Sequence, residues 1–146
     1  MNLILWRHAD AENSSPDSGR KLTERGRDQA QRVAAWLKPR LSGDCKVMAG
    51  PAERAQQTAA ALGVPFATSP SFGTDADAAD ILAAAHGREH PGTLVIVGHQ
   101  PTLGRVAALL LSGKESDWNI RKGALWWLQD NHGEITLRAV LDPDLV

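Results

Sequence analysis

Apolar segments of strand length alternate with helical patterns over the first two thirds of this chain. Strands that alternate with helices build a parallel sheet with helices on both faces. The spacing predicts strands at Leu3 to Arg7, Lys46 to Ala49, Phe66 to Thr68 and Thr93 to Val97. It predicts helices from Glu24 to Leu41 with Thr23 as N-cap, from Pro51 to Gly63, from Asp75 to Arg88, and from Pro101 to Gly113.

The last two predicted strands, Ala124 to Gln129 and Ile135 to Leu141, depart from this alternation. Only five residues, Asp130 to Glu134, separate them, which is the length of a hairpin loop. We therefore expect a three-layer α/β/α fold around a mixed, mostly parallel sheet of about six strands, with one antiparallel strand towards an edge. A length of 146 residues fits a single domain spanning residues 1–146.

The charge balance argues against binding partners that are recognised by a strong overall field. The chain has 16 basic and 17 acidic residues and a net charge of −1, so we expect neither nucleic acid nor a membrane surface as a partner. We also expect no signal peptide, because no basic region precedes a long apolar segment at the N-terminus. A single cysteine, Cys45, suits a reducing compartment. The expected location is cytoplasmic.

Basic side chains and histidines follow the predicted strands at the places where an open α/β sheet carries its chemistry. Arg7 and His8 end the first strand, Arg54 lies in the first helical turn after the second strand, and His99 follows the fourth. Side chains at the carboxyl ends of neighbouring parallel strands face a common crevice. Guanidinium groups offer charged forks to phosphoryl oxygens, and a histidine can be a nucleophile or a base. The pattern therefore predicts a phosphoryl-binding pocket, with Arg20 as a further phosphate ligand.

Four segments occur in order across nearly the whole chain: RHAD at 7–10, RKLTERG at 20–26, GPAERAQQT at 50–58 and GHQP at 98–101. They resemble the histidine phosphatase (phosphoglycerate mutase-like) superfamily, and most closely its short SixA-type phosphohistidine phosphatases. The resemblance implies a phosphoglycerate mutase-like fold and a phosphatase activity. Two positions depart from the family pattern: Ala9 stands where many relatives have glycine, and Gly50 replaces the usual serine before Pro51.

The predicted mechanism places a covalent intermediate on His8. Its neutral imidazole attacks phosphorus, and water then hydrolyses the phosphohistidine, while Arg7, Arg54 and His99 bind the phosphoryl oxygens. The other ring nitrogen of His8 needs an acceptor, for which a main-chain carbonyl near Ala9 is the first candidate and Asp10 the second. No metal or cofactor is required.

The proton donor for the leaving group is less clearly marked. Relatives that act on phosphate esters carry a carboxylate between the arginine helix and the second histidine, and Asp75 is the candidate in that interval. The alternative for Asp75 is an acidic residue that stabilises a helix N-terminus.

The predicted substrate follows from the short connection between the third and fourth strands. Residues 69–92 leave room for one helix and for no long lid over the pocket. An open pocket fits a phosphorylated protein, such as a phosphohistidine domain, and it also fits a small phosphate ester hydrolysed without strong selectivity. The polar segment from Asn13 to Gly19 is expected to form a mobile loop over the site.

Two further function classes are weaker. A metal-dependent hydrolase would use His8, Asp10 and His99 as ligands, but the other strand ends supply arginine and small residues instead of additional ligands. A non-catalytic phosphoprotein-binding module would have no need of the nucleophile.

Overall fold

A six-stranded sheet with helices packed against it organises the computed structural model, which describes residues 1–86 and 92–146. The strands are β1 (Asn2–Arg7), β2 (Cys45–Ala49), β3 (Ala67–Thr68), β4 (Thr93–Gly98), β5 (Leu125–Asn131) and β6 (Glu134–Leu141). The α-helices are α1 (Glu24–Leu37), α2 (Glu53–Ala60), α3 (Ala78–His86) and α4 (Thr102–Ser112).

The strand order is β3-β2-β4-β1-β5-β6. β1, β2, β3 and β4 are mutually parallel, whereas β5 runs antiparallel to both β1 and β6. The short turn between β5 and β6 can join only antiparallel neighbours, because a parallel connection needs a crossover of a dozen or more residues. The predicted mixed sheet with one antiparallel strand towards an edge is confirmed.

Two hydrophobic clusters cover the two faces of the sheet. In β1, Leu3 and Leu5 belong to the cluster that contains α3 and α4, whereas Ile4 and Trp6 belong to the cluster that contains α1 and α2. Successive side chains of a strand point to opposite faces, so a central strand that is apolar throughout must be covered on both sides. This arrangement confirms the three layers.

The helix boundaries differ from the predicted ones by a few residues. α1 ends at Leu37 instead of Leu41, because the chain tightens into a 3₁₀ turn from Lys38 to Arg40 around Pro39. α2 begins at Glu53, since the carbonyl of Ala52 takes the first helical hydrogen bonds and makes Ala52 the N-cap.

The helix predicted from Asp75 is observed from Ala78 to His86. Asp77 and Asp80 accept hydrogen bonds from each other's backbone N–H at 2.9 and 3.0 Å, and this reciprocal cap fixes the later start. The predicted end at Arg88 lies outside the described residues.

The remaining helix signals are observed where they were expected. The hydroxyl of Thr23 accepts from the backbone N–H of Gly26 at the start of α1. Gly113 ends α4 with a φ of 77°, a conformation that favours glycine. No helix in the described part of the chain is long and apolar enough to cross a membrane.

Candidate active site

The register of the two central strands brings the two predicted site histidines together. Arg7 of β1 pairs with Gly98 of β4, so His8 and His99 are the first residues beyond the carboxyl ends of adjacent parallel strands. Their ring centroids lie 5.1 Å apart. Both residues are buried, at 7% and 4% exposure. The histidines therefore share one pocket at the edge where α/β sheets bind ligands.

The imidazole of His8 is held by the main chain of the next residue. Its Nδ1 lies 2.7 Å from the carbonyl oxygen of Ala9, as predicted. A carbonyl oxygen only accepts, so Nδ1 carries the proton and the lone pair of the neutral ring is on Nε2. Burial lowers the pKa of His8 to about 3, because desolvation disfavours the charged ring. His8 is therefore neutral at neutral pH, the form that a nucleophile requires.

The second candidate for orienting His8, the carboxylate of Asp10, is engaged elsewhere. It accepts from the hydroxyl of Thr23 at 2.8 Å and from Nζ of Lys122 at 3.3 Å. These contacts hold the loop after β1 against the start of α1. Asp10 is thus a structural residue of this loop and does not orient the imidazole of His8.

Besides burial, the charges of Arg54 and Arg7 lie close enough to the two histidines to lower the pKa of both rings. Arg54, in the first turn of α2, is 4% exposed. Its Nη1 donates to the backbone oxygen of Asp17 at 2.8 Å, and its Nη2 lies 3.2 Å from a carboxylate oxygen of the same residue. Nη1 of Arg7 donates to the carbonyl of Ile120 at 2.9 Å. The outer edges of both guanidinium groups are therefore fixed by the protein.

Four buried nitrogens at this point have no hydrogen-bond partner among the described residues: Nε of Arg7, Nε of Arg54, and both ring nitrogens of His99. Burial, and next the charge of Arg54, lower the pKa of His99 to about 4, so its neutral ring offers one N–H. Buried donors normally have partners. Charged donors near a buried histidine favour an anionic ligand with several acceptor oxygens. We call His8, Arg7, Arg54 and His99 the anion pocket.

Arg20 is connected to the anion pocket through Asp17, and its role as a phosphate ligand stays a prediction. Its Nε donates to the carbonyl of Glu12 at 2.7 Å, and its Nη1 lies 3.3 Å from the carboxylate of Asp17. Its side chain is 23% exposed. Arg20 and Arg54 are therefore connected through Asp17, at the solvent side of the pocket.

Asp75 is exposed in the turn before α3. The next residue, Ala76, is anchored near His99, because its carbonyl accepts from the hydroxyl of Thr102 at 2.9 Å. Among the described residues, no hydrogen bond or ion pair joins the carboxylate of Asp75 to the anion pocket. The role of Asp75 as a proton donor therefore stays a prediction, which no contact among the described residues supports.

Two residues of the site were missed at the level of sequence. The hydroxyl of Thr58 accepts from the backbone N–H of Ala9 at 3.1 Å and donates to the carbonyl of Arg54 at 2.8 Å. Thr58 follows Arg54 by one helical turn, so the spacing contained a signal for it. Asp17 gave no such signal, because it is one of several polar residues in the segment from Asn13 to Gly19.

The departure at Gly50 has a structural reason. A Cβ atom built at Gly50 would lie 2.3 Å from the carbonyl oxygen of Phe72, so a serine does not fit without movement of the backbone. The backbone at Phe72 occupies the space that the side chain of the family's serine would need at position 50.

The described residues, 1–86 and 92–146, contain no group of three or more histidine, cysteine, aspartate or glutamate side chains placed to hold a metal ion. Of the ligand set considered for a metal-dependent hydrolase, Asp10 directs its carboxylate to Thr23 and Lys122. In the described part of the chain, the carboxylate of Asp10 therefore makes no hydrogen bond to His8 or His99.

Comparison with known proteins supports the same family as the sequence motifs. A family model of the histidine phosphatase superfamily (branch 1) matches residues 3–72. The phosphohistidine phosphatase SixA of Escherichia coli (strain K12) is 28% identical over 123 residues, which cover 78% of this chain and 76% of that protein.

Two solved structures have the same fold as this chain along nearly its whole length. The protein histidine phosphatase SixA complexed with tungstate superposes with a TM-score of 0.84 at 26% identity, covering 99% of each chain. The alpha-ribazole phosphatase of Shigella flexneri superposes with a TM-score of 0.78 at 21% identity, covering 98% of this chain and 97% of that one. The second likeness is one of fold.

Proposed function

We propose that this chain, which is similar to the histidine phosphatase superfamily, hydrolyses phosphohistidine on a protein through a covalent phosphohistidine intermediate on His8. The observation that carries this proposal is the set of four unpartnered buried nitrogens around a neutral histidine. A phosphoryl group supplies acceptors for the two arginine N–H groups and for the one N–H of the neutral His99 ring. The relative solved with tungstate, an oxyanion, supports the same ligand class.

The first chemical step follows from the orientation of His8. The lone pair on Nε2 forms a bond to phosphorus while the bond from phosphorus to the leaving nitrogen breaks, and that bonding pair stays on the leaving nitrogen. The phosphorylated ring of His8 is positively charged, and its Nδ1 proton keeps its acceptor in the carbonyl of Ala9 at 2.7 Å. The fixed carbonyl thus stabilises the charge that develops on the ring.

In the second step a water oxygen bonds to phosphorus, and the bond to Nε2 of His8 breaks with its electron pair returning to the ring. One water proton passes to solvent or stays on the phosphate. Arg7, Arg54 and His99 stabilise the phosphoryl oxygens in both transition states, since their donors are already oriented. Arg20 contributes its charge from the solvent side.

The choice of a protein substrate is supported by the open surroundings of the pocket. Between β3 and β4, the described residues contain one 3₁₀ turn, Pro70–Phe72, and one short α-helix, α3. This helix packs on α4 in the core, and Asp75 is exposed in the turn before it. A phosphoryl group presented on the surface of another protein could enter from this side. The SixA of Escherichia coli carries the name of a phosphohistidine phosphatase, in agreement with this substrate class.

The test is a comparison of two substrates: a peptide phosphorylated on histidine, and 4-nitrophenyl phosphate. We expect a higher kcat/KM for the peptide, hydrolysis of both in the presence of a chelator, and inhibition of both by vanadate, which mimics pentacoordinate phosphorus. Preferred turnover of the ester would favour the second candidate, an unselective phosphomonoesterase. Activity that is lost to the chelator and restored by a divalent ion would overturn the metal-free mechanism.

A further inference from the structure

The side chain of Asp17 brings a negative charge to the mouth of the anion pocket. One carboxylate oxygen lies 3.2 Å from Nη2 of Arg54 and the other lies 3.3 Å from Nη1 of Arg20. The backbone oxygen of Asp17 also accepts from Arg54, at 2.8 Å. Among the described residues, Asp17 is the only acidic residue whose side chain contacts either arginine. Its position is therefore fixed relative to Arg54 and Arg20.

Arg54 extends from the buried part of the anion pocket to the exposed side chain of Asp17, which we call the mouth of the pocket. Its unpartnered Nε is buried beside the histidines, whereas its Nη atoms reach Asp17. A phosphoryl group can thus bind to the Nε edge while Asp17 keeps its hold on the other edge. The side chain of Asp17 is 61% exposed, so it can contact a bound substrate.

The leaving group of the substrate must lie on the same side of the pocket as Asp17. In-line displacement places it on the side of phosphorus opposite Nε2 of His8. His8 is buried, so the leaving group departs towards solvent, and Asp17, whose side chain is 61% exposed, lies on the solvent side of Arg54.

On the basis of the proposed function, we infer that Asp17 determines specificity by accepting a hydrogen bond from the protonated imidazole of the departing histidine. When phosphohistidine has a proton on its second ring nitrogen, its imidazole ring carries a positive charge beside the negative phosphoryl group. The ring leaves as neutral histidine with the electron pair of the broken P–N bond. No proton has to be supplied during the step. A carboxylate at the mouth favours this charged substrate over a phosphate ester, whose leaving oxygen becomes negative.

The charge of Asp17 is maintained in this setting. Hydrogen bonds from Arg20 and then from Arg54 hold the pKa of its carboxyl below its usual range. An ionised acceptor gives the stronger hydrogen bond to a cationic donor. The same charge repels a dianionic ester that has no cation to offer, which strengthens the discrimination.

The decisive variant is Asp17→Asn, which keeps an oxygen for Arg54 and removes the charge. The backbone oxygen that accepts from Arg54 is unchanged. We expect kcat/KM for the phosphohistidine peptide to fall about tenfold or more, the scale of a hydrogen bond to a charged group. For 4-nitrophenyl phosphate we expect no loss, or a gain, because a like charge is removed. The substitution Asp28→Asn, which removes another exposed carboxylate paired with an arginine, should change neither value.

An equal fall for both substrates would overturn the inference, since Asp17 would then only position Arg54. No change for either substrate would overturn it as well. If the unaltered protein hydrolyses the ester and not the peptide, the proposed function itself fails, and this inference fails with it. A selective loss for the peptide is the result that supports both.

Discussion

The immediate surroundings of His8 decide whether it can act as a nucleophile. Its Nδ1 is fixed on the carbonyl of Ala9 at 2.7 Å, and burial lowers its pKa to about 3. A histidine in water, with an ordinary pKa near 6.5, would be partly protonated at neutral pH. The local structure therefore supplies both the correct tautomer and the correct charge state. In the proposed mechanism, Arg7 and Arg54 compensate the charge of the phosphoryl group.

The contribution of Arg54 can be measured by its removal. Arg54→Ala should lower kcat/KM about 10²-fold or more, the scale of losing one transition-state donor. The variant Arg32→Ala, which removes an exposed arginine paired with Asp28 on α1, should retain full activity. Steady-state kinetics on the phosphohistidine peptide checks both variants. Equal activities of the two variants would show that the anion pocket is not the site of catalysis.

The buried histidines also predict how stability depends on pH. In the folded protein the pKa of His8 is about 3 and that of His99 about 4, both below the ordinary value near 6.5. As the pH falls below about 6.5, the unfolded chain binds protons at these positions and the folded chain does not. The free energy of unfolding should therefore decrease between about pH 6.5 and pH 4, by up to about 1.4 kcal/mol per pH unit for each histidine.

Urea unfolding at several pH values tests this dependence. The double variant His8→Gln, His99→Gln should lose this part of the slope, whereas His132→Gln, at an exposed turn of the β5–β6 hairpin, should keep it. A slope that is the same in all three proteins would contradict the assigned charge states of the two buried histidines.

Among the secondary-structure elements, α2 both supplies Arg54 and holds the loop that follows His8. Arg54 supplies a guanidinium group from its first turn, and Thr58 hydrogen-bonds the N–H of Ala9 from the next turn. The neighbouring residue Gln57 accepts from the N–H of Leu22 at 2.7 Å, which holds the strand-like segment that follows Arg20. The position of this helix therefore controls the loops on both sides of the pocket.

The segment that leads into α2 gives a prediction about Gly50. Restoring the serine of the family pattern, by Gly50→Ser, should destabilise the protein, because its Cβ would lie 2.3 Å from the carbonyl oxygen of Phe72. We expect a loss of about 1–3 kcal/mol in the free energy of unfolding, typical of overpacking at a close contact. Gly43→Ser is the matched control, since within residues 1–86 and 92–146 no atom beyond the chain neighbours of Gly43 lies within 4 Å of a Cβ at that position. A Gly50→Ser protein as stable as this control would show that the two backbones are not in close contact.

Over the whole molecule, periodicity and turn lengths were sufficient to predict the layers, the six strands and the antiparallel strand. These features follow from local pattern and from which connections are long enough to cross the sheet. The meeting of His8 and His99 was also predictable, because each directly follows a central apolar strand. The contacts of Asp17 were not, since they depend on how an irregular polar loop folds back over Arg54.

The ends of the helices also could not be predicted exactly from local sequence patterns. The reciprocal cap between Asp77 and Asp80 moved the start of α3 away from Asp75, and either of two aspartates in that segment satisfied the sequence pattern for a helix start. The acidic side chain at the mouth of the pocket came from a loop that carries no periodic signal. Side-chain partners across long sequence separations are set by tertiary packing, which local patterns do not contain.

The central claim is the covalent intermediate on His8, and trapping it is the most direct test. Protein mixed with a peptide carrying labelled phosphohistidine and quenched in alkali should hold the label on His8. That label should be lost in mild acid, because the P–N bond of phosphohistidine is acid-labile. His8→Ala should abolish the labelling, and His99→Ala should slow it without moving it to another residue. Label that resists acid, or that persists in His8→Ala, would contradict the account.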